Sequence, residues 1–134
     1  MSIFASPRFL RHVLFADAAS CVGSGALQLL FLEPLARLLN LPSALLFGTG
    51  AFLVAYGAAV AFLATRSPIP RPVVWLLVFG NLGWALGCIA LLASGIVTPT
   101  ALGMAWVLAQ AACVAVLAEL QWTGLRRSPV VGWA

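Results

Sequence analysis

The residues best suited to chemistry are a few polar side chains set inside long apolar runs of the sequence. In the first run, Asp17, Cys21, Ser24 and Gln28 recur at spacings of four, three and four residues. At about 100° per residue, a helix would place these four side chains within one stripe roughly 60° wide. An acidic group on such a stripe can exchange a proton, or it can fix helix packing by accepting hydrogen bonds. Both roles are open for Asp17.

Two amides in later apolar runs are candidate partners for this stripe. Asn81 shares a helix face with Trp84, and Gln110 lies near the middle of the last run. Amides inside membranes form hydrogen bonds between helices more often than they bind ligands. Asn81 is the expected partner of Asp17, with arginines that reach inward from the helix ends as alternatives. The candidate intramembrane polar site therefore consists of Asp17, Gln28, Asn81 and Gln110.

The remaining acidic group of the last run, Glu119, is expected to have a different role. It lies about 180° from Gln110 around the helix, so the two side chains cannot reach one pocket from a straight helix. Its position predicts an interfacial carboxylate near Arg126 or Arg127.

Motifs of enzymes and metal sites are missing from the sequence. There is one histidine, no C-x-x-C pair, and no nucleophile-elbow, zinc-protease or phosphate-loop motif. Cys21, Cys88 and Cys113 are widely separated within apolar runs, where a thiolate is disfavoured, so we expect reduced and dispensable packing residues. We therefore expect no enzymatic activity, no cofactor and no metal.

The composition identifies the elements that must position these residues. Of the 134 residues, 63% are hydrophobic and 7% are charged, whereas a soluble domain has about 25% charged residues. This excludes a soluble globular domain and a nucleic-acid-binding protein. Four apolar runs have the length of about 20 residues that a membrane-spanning helix needs. They predict one all-α transmembrane domain over residues 1–134, a four-helix bundle with spans at about 12–32, 43–64, 73–93 and 100–122.

A short helical turn is predicted between the first two spans. Glu33-Pro34 is expected to end the first helix, because proline lacks an amide hydrogen and restricts the residue before it. Residues 35–41 place leucines on one face and Arg37 and Asn40 on another. This pattern is typical of a helical turn that lies at the membrane interface.

The arginines predict the orientation of the bundle. All seven basic residues are arginines, and six lie in the N-terminal tail, the middle loop and the C-terminal tail. Only Arg37 lies in the other two loops. Because loops rich in arginine stay in the cytoplasm, both termini are expected there. The abundance of Ala, Gly, Leu and Arg without lysine favours a bacterial protein of the inner membrane.

Small residues that recur every three or four residues predict close helix packing. These stripes are Ala51, Ala55 and Ala59; Gly80, Gly83 and Gly87; and Ala101, Ala105 and Ala109. They favour a compact bundle and a non-enzymatic accessory subunit that packs against itself or a larger membrane partner. The alternative is a small proton-coupled transporter or channel, in which Asp17 titrates and the three amides of the candidate site line the path.

Residues 79–84 (FGNLGW), 109–110, 118–121 and 124–127 resemble a group of small bacterial four-span inner-membrane proteins of uncharacterised function. The resemblance covers most of the chain and implies fold and location, but no activity. In length and helix number the chain is also similar to the small multidrug-resistance transporters. Their membrane glutamate would correspond to Asp17, but their third-helix pattern is not matched closely, so this similarity is an analogy.

Overall fold

The computed structural model describes residues 7–66 and 69–127, with side chains over 8–66 and 69–126, and this part of the chain contains five helices and no strand. They are α1 (Pro7–Leu30), α2 (Leu32–Leu39), α3 (Ser43–Ala64), α4 (Arg71–Ser94) and α5 (Ala101–Arg127). All except α2 are long and apolar enough to span a membrane. The predicted all-α fold with four long apolar helices is confirmed.

The helix bounds agree with the prediction for α3 and differ elsewhere. The helix α1 begins before the predicted position 12 and ends at Leu30. The chain turns at Phe31, so Pro34 does not end α1 but lies in the first turn of α2. Proline is tolerated there, because first-turn amides have no acceptor within their own helix. At the other end α5 continues to Arg127, beyond the predicted 122, and residues 128–134 lie outside the described part.

The four long helices form two antiparallel pairs. In the first pair α1 packs on α3, and Gly25 of α1 lies against Gly50 of α3. In the second pair α4 packs on α5. Contacts between α1 and α5, such as Leu10 against Gly124, join the two pairs. Among the described residues, no Cα atom of α3 lies within 8 Å of a Cα atom of α4, so these helices meet only through side chains.

Glycines allow the closest approach between α1 and α3. A Cβ atom added at Gly57 would lie 2.6 Å from Cγ2 of Val22 and 2.9 Å from the carbonyl oxygen of Ala18. A Cβ atom at Gly25 would lie 2.6 Å from the carbonyl oxygen of Gly50. Real Cβ atoms do not approach so closely, so this interface requires residues without a side chain.

The small-residue stripes predicted from sequence lie elsewhere. Their members are exposed on the outside of the chain: Ala51, Ala55, Ala59, Gly80, Gly83, Gly87, Ala101, Ala105 and Ala109. The expectation that these stripes form the packing seams of the bundle is therefore wrong. Spacing shows that small residues share a face, but it does not show which face turns towards a neighbouring helix.

The short helix α2 closes one end of the bundle. The backbone amide of Thr100 donates to the carbonyl oxygen of Leu39 at 3.1 Å, and its Oγ1 donates to that of Leu38 at 2.9 Å. Leu39 is buried in an apolar cluster with Leu46 and Val107. A larger apolar cluster contains Leu14, Val60, Val74 and Leu125 and fills the other half of the bundle. The buried polar residues lie along the helices between these clusters.

Candidate functional site

Side chains from all four long helices converge on Asp17. This residue has no exposed surface. Its Oδ2 accepts hydrogen bonds from Gln121 Nε2 at 2.7 Å, Asn81 Nδ2 at 3.3 Å and the Tyr56 hydroxyl at 3.4 Å. Its Oδ1 accepts from the Cys21 thiol at 3.4 Å. A single carboxylate thus connects α1, α3, α4 and α5.

The Asp17 cluster is complete within the chain. Asn81 Nδ2 also contacts Oε1 of Gln121 at 3.1 Å, so the two amides bond to each other as well as to the carboxylate. Four donors directed at two oxygens compensate the carboxylate for its lost hydration. Two arginines considered as partners are directed elsewhere, because Arg11 donates to the carbonyl oxygen of Arg66 and Arg71 donates to that of Leu125.

The predicted Asp17–Asn81 pair is confirmed, whereas two further partners of Asp17 were missed. Gln121 lies on the same face of α5 as Gln110, which was the signal that it points into the bundle. Tyr56 lies eight residues before the end of α3 and Asp17 ten residues after the start of α1, so their depths are comparable. Depth alone did not identify Tyr56 as a partner of Asp17, because a lone tyrosine in a membrane span packs against apolar side chains as often as it bonds to a polar one.

The other two predicted site residues belong to a second cluster. The Thr49 hydroxyl donates to Gln28 Oε1 at 2.8 Å, and Trp84 Nε1 donates to Gln110 Oε1 at 3.3 Å. All four side chains line a cavity of about 60 Å³ near the α2 end of the bundle. The structure therefore divides the predicted site into two clusters, with Asp17 and Asn81 in one and Gln28 and Gln110 in the other.

The second cluster is incomplete. Gln28 is 1% exposed, and its Nε2 is the one buried side-chain nitrogen or oxygen atom without a hydrogen-bond partner in the described part of the chain. A buried donor without an acceptor costs about 1–3 kcal/mol. Such an atom in a native fold indicates a partner that the chain itself does not supply, such as water or a ligand.

Trp84 separates the two clusters. Besides the cavity at Gln28, it lines a second cavity of about 80 Å³, which extends to Tyr56 and Asn81. The ring of Phe52 stacks on Trp84 with a centroid distance of 5.6 Å and an angle of 11°. These two aromatic side chains join α3 to α4 where their backbones are far apart.

Glu119 lies in a groove between α4 and α5, away from both clusters. Its side chain is exposed, and the groove of about 370 Å³ is also lined by Trp75 and Trp122. The Arg126 guanidinium lies over the Trp122 ring, 4.8 Å from its centroid, rather than against Glu119. The side chain of Arg127, the other arginine predicted near Glu119, lies outside the described residues.

The three cysteines differ in their exposure. Cys21 is buried, Cys88 is half-buried and Cys113 is exposed, and all three are free thiols. Within residues 7–66 and 69–127, no three His, Cys, Asp or Glu side chains come together in a way that could hold a metal ion.

No family model, curated protein or solved structure is significantly similar to this chain. The resemblance to small four-span proteins stays a prediction.

Proposed function

We propose that this chain is a non-enzymatic subunit of the bacterial inner membrane that spans the bilayer four times and associates with a second copy of itself or with a larger membrane protein. The observation that carries the proposal is the exposed alanine stripe of α3, formed by Ala51, Ala55 and Ala59.

This alanine stripe lies on the side of α3 that faces away from α1. Gly50 and Gly57 mark the face in contact with α1, and the three alanines lie roughly 100–200° around the helix from them. In lipid, large apolar side chains contact acyl chains as well as they contact each other, so helices associate where small residues allow close backbone approach. An outward stripe of alanines therefore favours contact with another helix.

The hydrogen bonds of Asp17 and the surroundings of Glu119 support a structural role for these acidic residues. The Asp17 carboxylate is satisfied by four donors from its own chain. Three of these bonds, from Tyr56, Asn81 and Gln121, act between helices and hold the bundle together. Glu119, the acidic side chain exposed on α5, has no histidine or second carboxylate beside it among the groove-lining residues.

The arginines support an orientation with both termini in the cytoplasm. Arg11 of α1 contacts the carbonyl oxygen of Arg66 after α3, and Arg71 of α4 contacts that of Leu125 near the end of α5. These four helix ends therefore lie together. Arg37 belongs to α2 at the opposite end. A charge difference of this kind between the two ends favours retention of the arginine-rich end in the cytoplasm.

Association is tested by Ala55→Ile, with Ala90→Ile as the matched control on the exposed side of α4. Labelled chains are reconstituted into liposomes, and subunits are counted by single-molecule photobleaching over a range of protein-to-lipid ratios. We expect the parent and Ala90→Ile to form the same oligomer and Ala55→Ile to be monomeric.

A parent that is monomeric at every ratio would exclude self-association. The larger-partner form is then tested by photo-crosslinking in cells from position 55 and, as the control, position 90. Equal labelling from both positions would refute the docking role of the alanine stripe.

A proton-coupled transporter or channel is the second candidate. It is favoured by two cavities that both border Trp84, one lined by Asn81 and the other by Gln28. A rotation of the Trp84 ring would join the two clusters into one polar path. A proton flux across proteoliposomes that is present in the parent and lost in Asp17→Asn, with thermal stability retained, would favour this candidate over the subunit.

A further inference from the structure

The unpaired amide of Gln28 lines the cavity of about 60 Å³, which adjoins a larger groove. This groove, which we call the α3–α4 groove, has a volume of about 410 Å³ and is lined by Leu45, Thr49, Gly83, Trp84, Gly87, Cys88 and Leu91. Five of these residues also line the 60 Å³ cavity that contains Gln28. The cavity and the groove are therefore neighbouring parts of one space, polar at its inner end and apolar where it opens between the two helices.

We propose that the α3–α4 groove binds one phospholipid, whose acyl-ester carbonyl accepts a hydrogen bond from Gln28 Nε2 and whose acyl chain lies along α4 at Gly83 and Gly87. The inference needs a membrane around the protein, but it does not need the subunit role proposed above.

The chemistry of the inner end selects a hydrogen-bond acceptor. Gln28 Oε1 is already bonded to Thr49, which leaves the two hydrogens of Nε2 unused. A carbonyl oxygen is a strong acceptor without a charge, so it can enter an apolar space at a smaller desolvation cost than a carboxylate or phosphate.

The shape of the groove selects a chain rather than a helix. A helix with its side chains is about 10 Å across, whereas the side chains of Phe52 and Trp84 already touch across the space between α3 and α4. Space for a thin occupant exists along α4, because an added Cβ atom at Gly83 or Gly87 would meet nothing within 4 Å. The volume and the mainly apolar lining are typical of sites that hold small apolar molecules between helices.

The position along the membrane normal favours a lipid ester. Gln28 lies two residues before the end of α1, which corresponds to about 3 Å along the helix axis. The short helix α2, which is predicted to lie at the membrane interface, follows directly. Phospholipid ester groups lie at this border of the hydrocarbon region, so a lipid of this leaflet can reach Gln28 while its headgroup remains outside.

The test is native mass spectrometry of the full chain, released from liposomes that contain diester and diether phosphatidylglycerols with the same chain lengths. The diether lipid lacks the carbonyl and is otherwise matched. We expect one phospholipid to be retained per chain, with the diester preferred on the order of fivefold, as one hydrogen bond to a neutral acceptor provides.

Three variants locate the site. Gly87→Leu fills the groove and should abolish retention, whereas Gly23→Leu, at another glycine with open space around it, should retain lipid as the parent does. Gln28→Met removes the donor and should keep the lipid but lose the preference for the ester. Circular dichroism and elution volume show whether each variant is folded.

The proposal is overturned if the folded parent retains no phospholipid, if it holds diester and diether equally, or if Gly87→Leu and Gly23→Leu behave alike. Retention of an isoprenoid quinone instead of phospholipid from native membranes also overturns it. A monomeric protein that shows the ester preference would refute self-association and leave the lipid site intact, so the two proposals can fail separately.

Discussion

Replacement of Asp17 by leucine tests whether the carboxylate holds the four helices together. Leucine has a similar size but cannot accept the hydrogen bonds of Gln121, Asn81, Tyr56 and Cys21. Gln121 Nε2 loses its 2.7 Å bond, while Asn81 keeps its contact with Gln121 Oε1. Interhelical hydrogen bonds in membranes contribute about 0.6 kcal/mol on average and up to about 1.7 kcal/mol.

The expected loss follows from these values. One strong interhelical bond from Gln121 and two longer ones from Asn81 and Tyr56 sum to about 2–3 kcal/mol of unfolding free energy, and the Cys21 bond lies within α1. Asp17→Asn should cost about 1 kcal/mol or less, because its amide oxygen can replace Oδ2 as the acceptor for Gln121 and Asn81. Ala16→Leu is the control, since it introduces the same side chain at the neighbouring exposed position.

The free energy of unfolding is measured by steric trapping in bicelles for the parent and the three variants. An Asp17→Leu variant as stable as the parent would refute the structural role of the carboxylate. If Asp17→Asn lost as much stability as Asp17→Leu, the negative charge would be needed in addition to the hydrogen bonds. Hydrogen-bond geometry alone would then not account for the stability of the bundle.

Two further predictions concern packing and topology. Gly57→Val should lower the unfolding free energy by more than about 2 kcal/mol, because its Cβ would overlap Val22 and the Ala18 carbonyl. In the control Gly80→Val, where nothing lies within 4 Å of an added Cβ, the unfolding free energy should change by less than about 0.5 kcal/mol. Equal losses in the two variants would contradict the α1–α3 contact. Cysteine labelling from the two sides of the membrane should place both chain ends in the cytoplasm and residues 94–99 outside, and a chain end labelled only from outside would refute four crossings.

The sequence was sufficient for the helices and for the polar face of α1. Apolar run length located α3 at its observed bounds, and the four-three-four spacing placed Asp17, Cys21 and Gln28 on a buried face. Helix bounds and helix faces depend on a single segment, namely on its length, its composition and the angular spacing of its polar residues. The predicted helix break at Glu33-Pro34 was misplaced, because the chain already turns at Phe31. Pro34 then lies in the first turn of α2, where proline is tolerated.

The choice between Gln110 and Gln121 as a partner of Asp17 needed information about two helices at once. The two glutamines share a face of α5 but lie about 16 Å apart along its axis. In the structure Leu10 lies against Gly124, so Asp17 of the antiparallel α1 is level with about residue 117 of α5, roughly 6 Å along the axis from Gln121 and roughly 10 Å from Gln110. This register selects Gln121. It depends on the close fit of side chains between α1 and α5, which a pattern within either helix does not encode.

The two polar clusters differ in a way that bears directly on function. The cluster at Asp17 obtains every partner from its own chain, and it lies where all four long helices meet. The cluster at Gln28 leaves a donor unused, and its cavity shares five lining residues with the groove between α3 and α4. Buried polar groups are retained at a cost in stability, so a complete cluster is explained by the fold it holds, whereas an incomplete one requires a partner from outside. Stability measurements should therefore respond to Asp17, and binding measurements to Gln28.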